Sequence, residues 1–183
     1  MIRLFAAIAI PEEIAEGLTR SQQGLPGARW RPTEAFHLTL RFMGEIAETA
    51  AEDLDAELAA IAGEALTLSL EGVGAFQEGD NIHAVWAGVE EHKSLQRLAA
   101  RCESAARRAG LKPDRRVWKA HVTLAYLNRP DPARVAAWIQ GHSLLKSPPF
   151  EVTRFGLYSS WLGSGGSKYE LERDYRLSRS APG

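Results

Sequence analysis

Phe36-His37-Leu38-Thr39-Leu40 and Ala120-His121-Val122-Thr123-Leu124 are two copies of one short pattern, beginning 84 residues apart in a chain of 183. Side chains alternate along an extended backbone, so His37 and Thr39 share one face while Leu38 and Leu40 take the other. His121 and Thr123 are set against Val122 and Leu124 in the same way. Each copy buries an aliphatic pair and presents an imidazole beside a hydroxyl. Two of the 5 histidines carry a threonine two places on. Chance supplies that at roughly 1–2% before the aliphatic neighbours are counted, so the pattern reads as an internal repeat.

The flanks of the first copy alternate strand and helix signals. Arg3 to Ile10 is a short apolar run closed by Pro11, which reads as a buried strand. Pro11-Glu12-Glu13 opens a helix to about Gly24, with proline in the first turn and acids favoured by the helix dipole. Leu25-Pro26-Gly27 is a turn, and Trp30-Arg31-Pro32 leads into a strand from His37 to Met43, ended by Gly44. Residues 47–62 have helical spacing at Leu54, Leu58 and Ile61. Leu66 to Leu70 and Asn81 to Val89 read as strands joined across a Gly/Asp/Asn loop.

Around the second copy the style repeats. Lys93 to Ala109 is a helix with Leu95, Leu98, Cys102, Ala105 and Ala109 on one stripe, which makes Cys102 a small core residue. Gly110 stops it. His121 to Leu127 is a strand, Pro132 to Ile139 a short helix, and Phe155 to Leu162 a strand. Residues 163–167 are a flexible loop before a last strand, Lys168 to Leu177, and residues 180–183 are expected to fray. Helices are interleaved with strands close enough to pair as hairpins, which favours an α+β fold.

Composition narrows the class further. The chain is 45% hydrophobic and 25% charged with a net charge of −1, which excludes disorder as its main state. No run approaches the roughly 18 apolar residues a membrane span needs, and the opening residues lack the basic region of a secretory signal. One cysteine permits neither an internal disulfide nor a cysteine-rich metal site, so a cytoplasmic protein is expected. The net charge hides an asymmetry. Residues 1–91 hold 5 basic and 16 acidic side chains, and residues 92–183 hold 17 and 7. Either the two sets lie on solvated faces, or the second half grips a polyanion.

Two imidazoles on related strands suit a reaction that needs a proton acceptor and a proton donor near neutral pH. Threonine hydroxyls beside them can donate to anionic oxygens. A phosphodiester fits that frame. Arg41 has the parity of His37 and Thr39, which would bring its charge to the same cleft. His83 reads as a strand-face residue, and His92 and His142 as solvated; neither motif supplies a second metal ligand. Trp30, Phe36, Trp118, Tyr126 and Trp161 are the aromatics that could stack on bases, with Phe36, Trp118 and Tyr126 nearest the motifs.

The paired H-x-T-x motifs resemble those of the 2H phosphoesterase superfamily, and more narrowly the bacterial RNA 2′,3′-cyclic phosphodiesterases, once called 2′-5′ RNA ligases. Arg3 to Ile8, His37 to Gly44, Trp86 to Val89 and Lys168 to Leu171 carry the likeness along the chain. The resemblance implies two pseudo-symmetric lobes, each an antiparallel sheet with outer helices, around a central cleft, with residues 1–183 forming a single bilobal domain. It implies hydrolysis of a 2′,3′-cyclic phosphate, on RNA or a nucleotide, to a 2′-phosphomonoester, by a monomer without metal or cofactor. His37 would be proton donor and His121 acceptor, and Thr39, Thr123, Arg41 and Tyr126 would bind substrate. Many relatives carry a basic residue shortly after the second motif, where this chain has Ala125-Tyr126-Leu127. Arg115, Arg116, Lys119 or Arg129 would replace it, or Tyr126 would stack on a base. Two other readings keep the same residues: a 2′-5′ RNA ligase or 2′-5′ oligonucleotide phosphodiesterase, and a non-catalytic RNA-binding protein.

Overall fold

In the computed structural model, which describes residues 1–178, the two repeats lie side by side at the centre of one sheet. The tail at residues 180–183, expected to fray, lies outside the described residues. Strands β1 (Ile2–Ala9), β2 (Arg29–Trp30) and β3 (His37–Ile46) come first, with helix α1 (Glu12–Leu18) between β1 and β2. Helix α2 (Glu48–Ala59) and strands β4 (Leu66–Leu68), β5 (Leu70–Glu78) and β6 (Asn81–Val89) complete the first half. The second half runs α3 (Lys93–Arg108), β7 (His121–Tyr126), α4 (Pro132–Gly141), β8 (Phe150–Val152), β9 (Arg154–Gly163) and β10 (Gly166–Arg176).

Strand β3 pairs with β1, β1 with β9 and β9 with β10, which makes one lobe. The other lobe is β7, β6 and β5, with short β2 against the end of β7. All these pairings are antiparallel. The two half-sheets join where β3 meets β7 through one registered pair, Leu38 opposite Val122. Leu38, Leu40, Val122 and Leu124 face the helices and are almost wholly buried. Their core takes in Leu18 from α1, Leu54 and Leu58 from α2, Leu95, Leu98 and Cys102 from α3, and Val135 and Trp138 from α4. The thiol of Cys102 is pushed up to about 12 by burial, as befits an inert core residue.

Strict alternation fails just after each motif. Opposite β1, Ala7 faces Thr39 and Ala6 faces Arg41, so Leu40 is an extra residue. Opposite β6, Trp86 faces Thr123 and Val85 faces Ala125, so Leu124 is extra in the same place of the second copy. A bulge of one residue inverts the parity of everything beyond it. Leu40 and Arg41 are therefore both buried, as are Leu124 and Ala125, while Phe42 and Tyr126 emerge on the cleft face. The expectation that Arg41 reaches the cleft is corrected. Arg41 is 7% exposed among the helices, and its Nε donates to Glu103 of α3 at 2.5 Å. The guanidinium also donates to the Phe42 and Lys112 carbonyls, and Glu103 accepts from the Asp114 N–H. Arg41 and Glu103 thus brace the segment that leads into the second motif.

Two other expectations change. Residues 71–78, read as part of a loop, are strand β5, and the turn shrinks to Gly79-Asp80. Glycines disguise that strand, yet Gly74 is needed because a Cβ there would stand 2.4 Å from the Trp86 ring. Strand β8 is three residues long and pairs with β4, too short to register as a hydrophobic pattern. The charge asymmetry is met in part inside the chain. Glu57 of α2 accepts from Arg108 of α3, Asp55 pairs with Arg173, and Glu71 and Glu90 flank Lys146.

Arg41→Ala removes the brace and leaves Glu103 without its cation. We expect a loss of about 1–3 kcal/mol in stability, read by denaturant unfolding. Turnover of the folded variant should fall less than about tenfold, well short of the effect of losing a phosphate contact.

Candidate active site

The pairing of Leu38 with Val122 runs antiparallel. That register brings His37 level with Thr123, and Thr39 level with His121. Each imidazole therefore stands beside the hydroxyl of the other motif, in a quartet related by a pseudo-twofold axis through the seam. All four side chains are partly buried. Among the described residues no protein group hydrogen-bonds the hydroxyl of Thr39 or Thr123.

Each imidazole is braced alike. His37 Nδ1 lies 3.1 Å from the carbonyl of Ala35, and His121 Nδ1 lies 2.7 Å from that of Lys119. A carbonyl only accepts, so Nδ1 carries the hydrogen and donates, and Nε2 is the nitrogen left to exchange protons. Burial lowers the pKa of both rings below the ordinary histidine value. The carbonyl bonds oppose that shift, and the charges of Arg31 on His37 and Lys119 on His121 add to it.

Aromatic walls hold the rings from outside. His37 meets Tyr158 at 4.6 Å and Tyr169 at 5.6 Å between centroids, both edge-on, and Phe5 at 6.0 Å. His121 meets Phe76 edge-on at 4.7 Å and Trp86 at 6.3 Å. Gly156 leaves room for the first wall, since a Cβ there would lie 2.8 Å from the Tyr158 ring. Beside His121 a groove of about 650 Å³ opens between Trp86, Trp118 and Lys119. The Lys119 ammonium sits 4.8 Å above the Trp86 ring, and the Trp118 indole donates to the Thr39 carbonyl at 3.0 Å.

His37, His121, Thr39, Thr123 and Tyr126 thus share one cleft, and Arg41 does not. Phe36 is a core residue, Trp30 packs on Trp138, and Trp161 is exposed on β9. Arg116 is paired with Asp114, and Arg129 is anchored through its backbone to Asn81. His83 stacks on Phe76, His92 caps α3, and His142 bonds the Trp138 carbonyl at the end of α4. Among the described residues no three His, Cys, Asp or Glu side chains gather to hold a metal ion, and no helix is long and apolar enough to cross a membrane. Sequence reasoning missed Arg31. It lies six residues before His37 and is set at the cleft by its N–H, which pairs with the Leu124 carbonyl at 2.8 Å. No local pattern announces that long-range bond.

The RNA 2′,3′-cyclic phosphodiesterase of Archaeoglobus fulgidus is 30% identical over 172 residues, covering 92% of this chain and 97% of its own. The Escherichia coli protein of the same name is 30% identical over 186 residues, covering 97% of each chain. The structure of E. coli LigT complexed with 3′-AMP superposes with a TM-score of 0.78 at 27% identity, covering 96% of this chain and 98% of that one. Residues 10–161 match the family described as the 2′-5′ RNA ligase superfamily, and the chain belongs to it.

Proposed function

We propose that the protein hydrolyses the 2′,3′-cyclic phosphate at an RNA end or on a nucleotide to a 2′-phosphomonoester. The observation that carries this reading is the quartet: two imidazoles, each with Nδ1 on a backbone carbonyl, each beside the other motif's threonine. In-line displacement at phosphorus puts the attacking and leaving oxygens on opposite sides of the reacting centre. A twofold-related pair of proton carriers matches that demand. His121 takes a proton from water as its oxygen bonds to phosphorus. His37 gives a proton to the 3′ oxygen as its bond to phosphorus breaks. Thr39 and Thr123 donate to the remaining phosphate oxygens. No step calls on a metal or cofactor. The names borne by the relatives from A. fulgidus and E. coli support the same chemistry.

RNA is favoured as the donor of the cyclic end by the surroundings of Tyr126. Arg29 lies directly across from it in the β2–β7 pairing, and the charges of Arg31, Arg29 and Arg3 all act on its phenol. A strand leaving the quartet past Tyr126 would meet guanidiniums and a ring to stack on. The reading includes a monomer in the cytoplasm. In support, the lobes share one sheet and so form one bilobal unit, both motifs come from the same chain, and its one thiol is buried.

The test is incubation with 2′,3′-cyclic CMP and with a cyclic-phosphate-ended RNA, in EDTA, with identification of the product phosphate. We expect a 2′-phosphate from wild type and a loss of about 10²–10⁴-fold for His37→Ala and for His121→Ala. Thr39→Val and Thr123→Val should cost roughly 10–100-fold. A folded histidine variant keeping more than about a tenth of wild-type activity would sink the paired mechanism. Binding without turnover by wild type would favour an RNA-binding protein instead.

The pH dependence has a definite sign. The acceptor works above its pKa and the donor below its own, so kcat/KM against pH is a bell. Burial depresses both imidazoles from 6.5, so the free-enzyme bell should centre on the acid side of about pH 6.5. Bound phosphate charge raises both values and moves the kcat bell to higher pH. A bell for kcat/KM centred above neutrality would contradict the arrangement.

A further inference from the structure

Arg31 continues the β2–β7 pairing by one residue, and its side chain enters the cleft at the His37 end. The guanidinium carbon lies 5.5 Å from the centre of the Tyr126 ring and 5.6 Å from that of Tyr169. Its Nη2 donates to the Tyr169 hydroxyl at 3.1 Å. Tyr126 belongs to β7 of one lobe and Tyr169 to β10 of the other, so this one cation spans the cleft. Among the described residues no carboxylate pairs with it.

A guanidinium carries five N–H donors, and the tyrosines use one of them. Drawing it partly out of water without a counter-ion is unfavourable unless an anion completes the site. The ring faces fix the plane of the fork at little entropic cost, which suits bidentate contact with two phosphate oxygens. The candidate anion is close at hand. Arg31 bonds the backbone immediately after Thr123, which stands level with His37. Its charge is also felt by the His37 ring.

We propose that Arg31, held between Tyr126 and Tyr169, donates to the non-bridging oxygens of the cyclic phosphate that reacts. The proposal rests on the reading of the cleft as a cyclic phosphodiesterase site. It gives the equatorial oxygens, whose charge grows as water adds, a cation on the side away from Lys119. It also assigns Tyr126 the task of supporting that cation.

Arg31→Ala, Arg31→Lys and Tyr169→Phe test this, each first compared with wild type by circular dichroism and melting. Hydrolysis is followed with 2′,3′-cyclic CMP, which has one phosphate, and with a cyclic-phosphate-ended RNA. Arg31→Ala should lower kcat/KM by about 10²–10³-fold on both substrates, mainly through kcat. Arg31→Lys should recover part of that, because it keeps the charge and loses the fork. Tyr169→Phe should lose less than about tenfold. With the charge gone, the limb of the pH profile that reports His37 should move to higher pH, which a merely structural residue would not cause. Retention of more than about a third of kcat/KM by folded Arg31→Ala overturns the proposal. So does a loss confined to the RNA substrate, which would put Arg31 on a neighbouring phosphodiester. Should wild type turn over neither substrate, the reading of function fails by itself. Calorimetric binding of 2′-CMP then decides about Arg31: a loss of about tenfold or more in Arg31→Ala upholds the contact, and unchanged affinity removes it.

Discussion

One antiparallel pair, Leu38 opposite Val122, joins the two halves of the sheet, and the cleft depends on it. Strand side chains have a period of two, so a slip of one residue along this seam would turn the histidines into the core. The aliphatic residues between and beside them oppose that slip. Leu38, Leu40, Val122 and Leu124 are all nearly fully buried, and each forfeits roughly 1.5–3 kcal/mol if driven into water. Register at the seam is therefore enforced by the back of the sheet while the chemistry is displayed on the front. The bulges at Leu40 and Leu124 end the alternation at the same point in each motif. They limit the cleft floor to two residues per strand and hand the next cleft positions to Phe42 and Tyr126.

Within that floor, function comes from opposed influences on each imidazole. Burial among aromatic rings disfavours the charged form, and the i−2 carbonyl favours it. The carbonyl also fixes the tautomer, so both rings present the same nitrogen to the cleft. The result is a pair in which the charged form of each ring is disfavoured and Nε2 is the nitrogen that takes and gives the proton. Cations at either end, Arg31 by His37 and Lys119 by His121, keep the pair from charging fully. The same cations suit a bound phosphate.

Much of this is legible in the sequence, because the repeat itself names both strands, the buried partners and the displayed pairs. His37, Thr39, His121 and Thr123 follow from a period of two applied over three residues, where it holds. Arg41 shows its limit. The parity rule has no knowledge of a bulge, and a bulge is set by pairing with β1, some 30 residues away in sequence. Strand β5 is hidden because Gly74 answers to the Trp86 ring, a tertiary need, and Gly72 to a backbone φ of +70°. Arg31 lay beyond reach for a similar reason, since a single long-range N–H bond to Leu124 carries it into the cleft. The charge asymmetry allows either solvated faces or a grip by the second half, whereas Arg3, Arg29 and Arg31 around Tyr126 all come from the first. Arg108, Arg173 and Lys146 of the second half instead pair with acids of the first, Arg108 of α3 with Glu57 of α2 among them.

The central claim is that two carbonyl-braced imidazoles share the proton work, and the tautomers test it most directly. Long-range ¹H–¹⁵N correlation spectra of uniformly labelled protein, recorded through a pH titration, assign the protonated nitrogen of each ring. His37→Gln and His121→Gln identify the two signals. The account predicts that both rings carry the hydrogen on Nδ1 when neutral and that both take up a second proton only below about pH 6.5. A neutral Nε2–H form in either ring, or a titration of either above that pH, would contradict it.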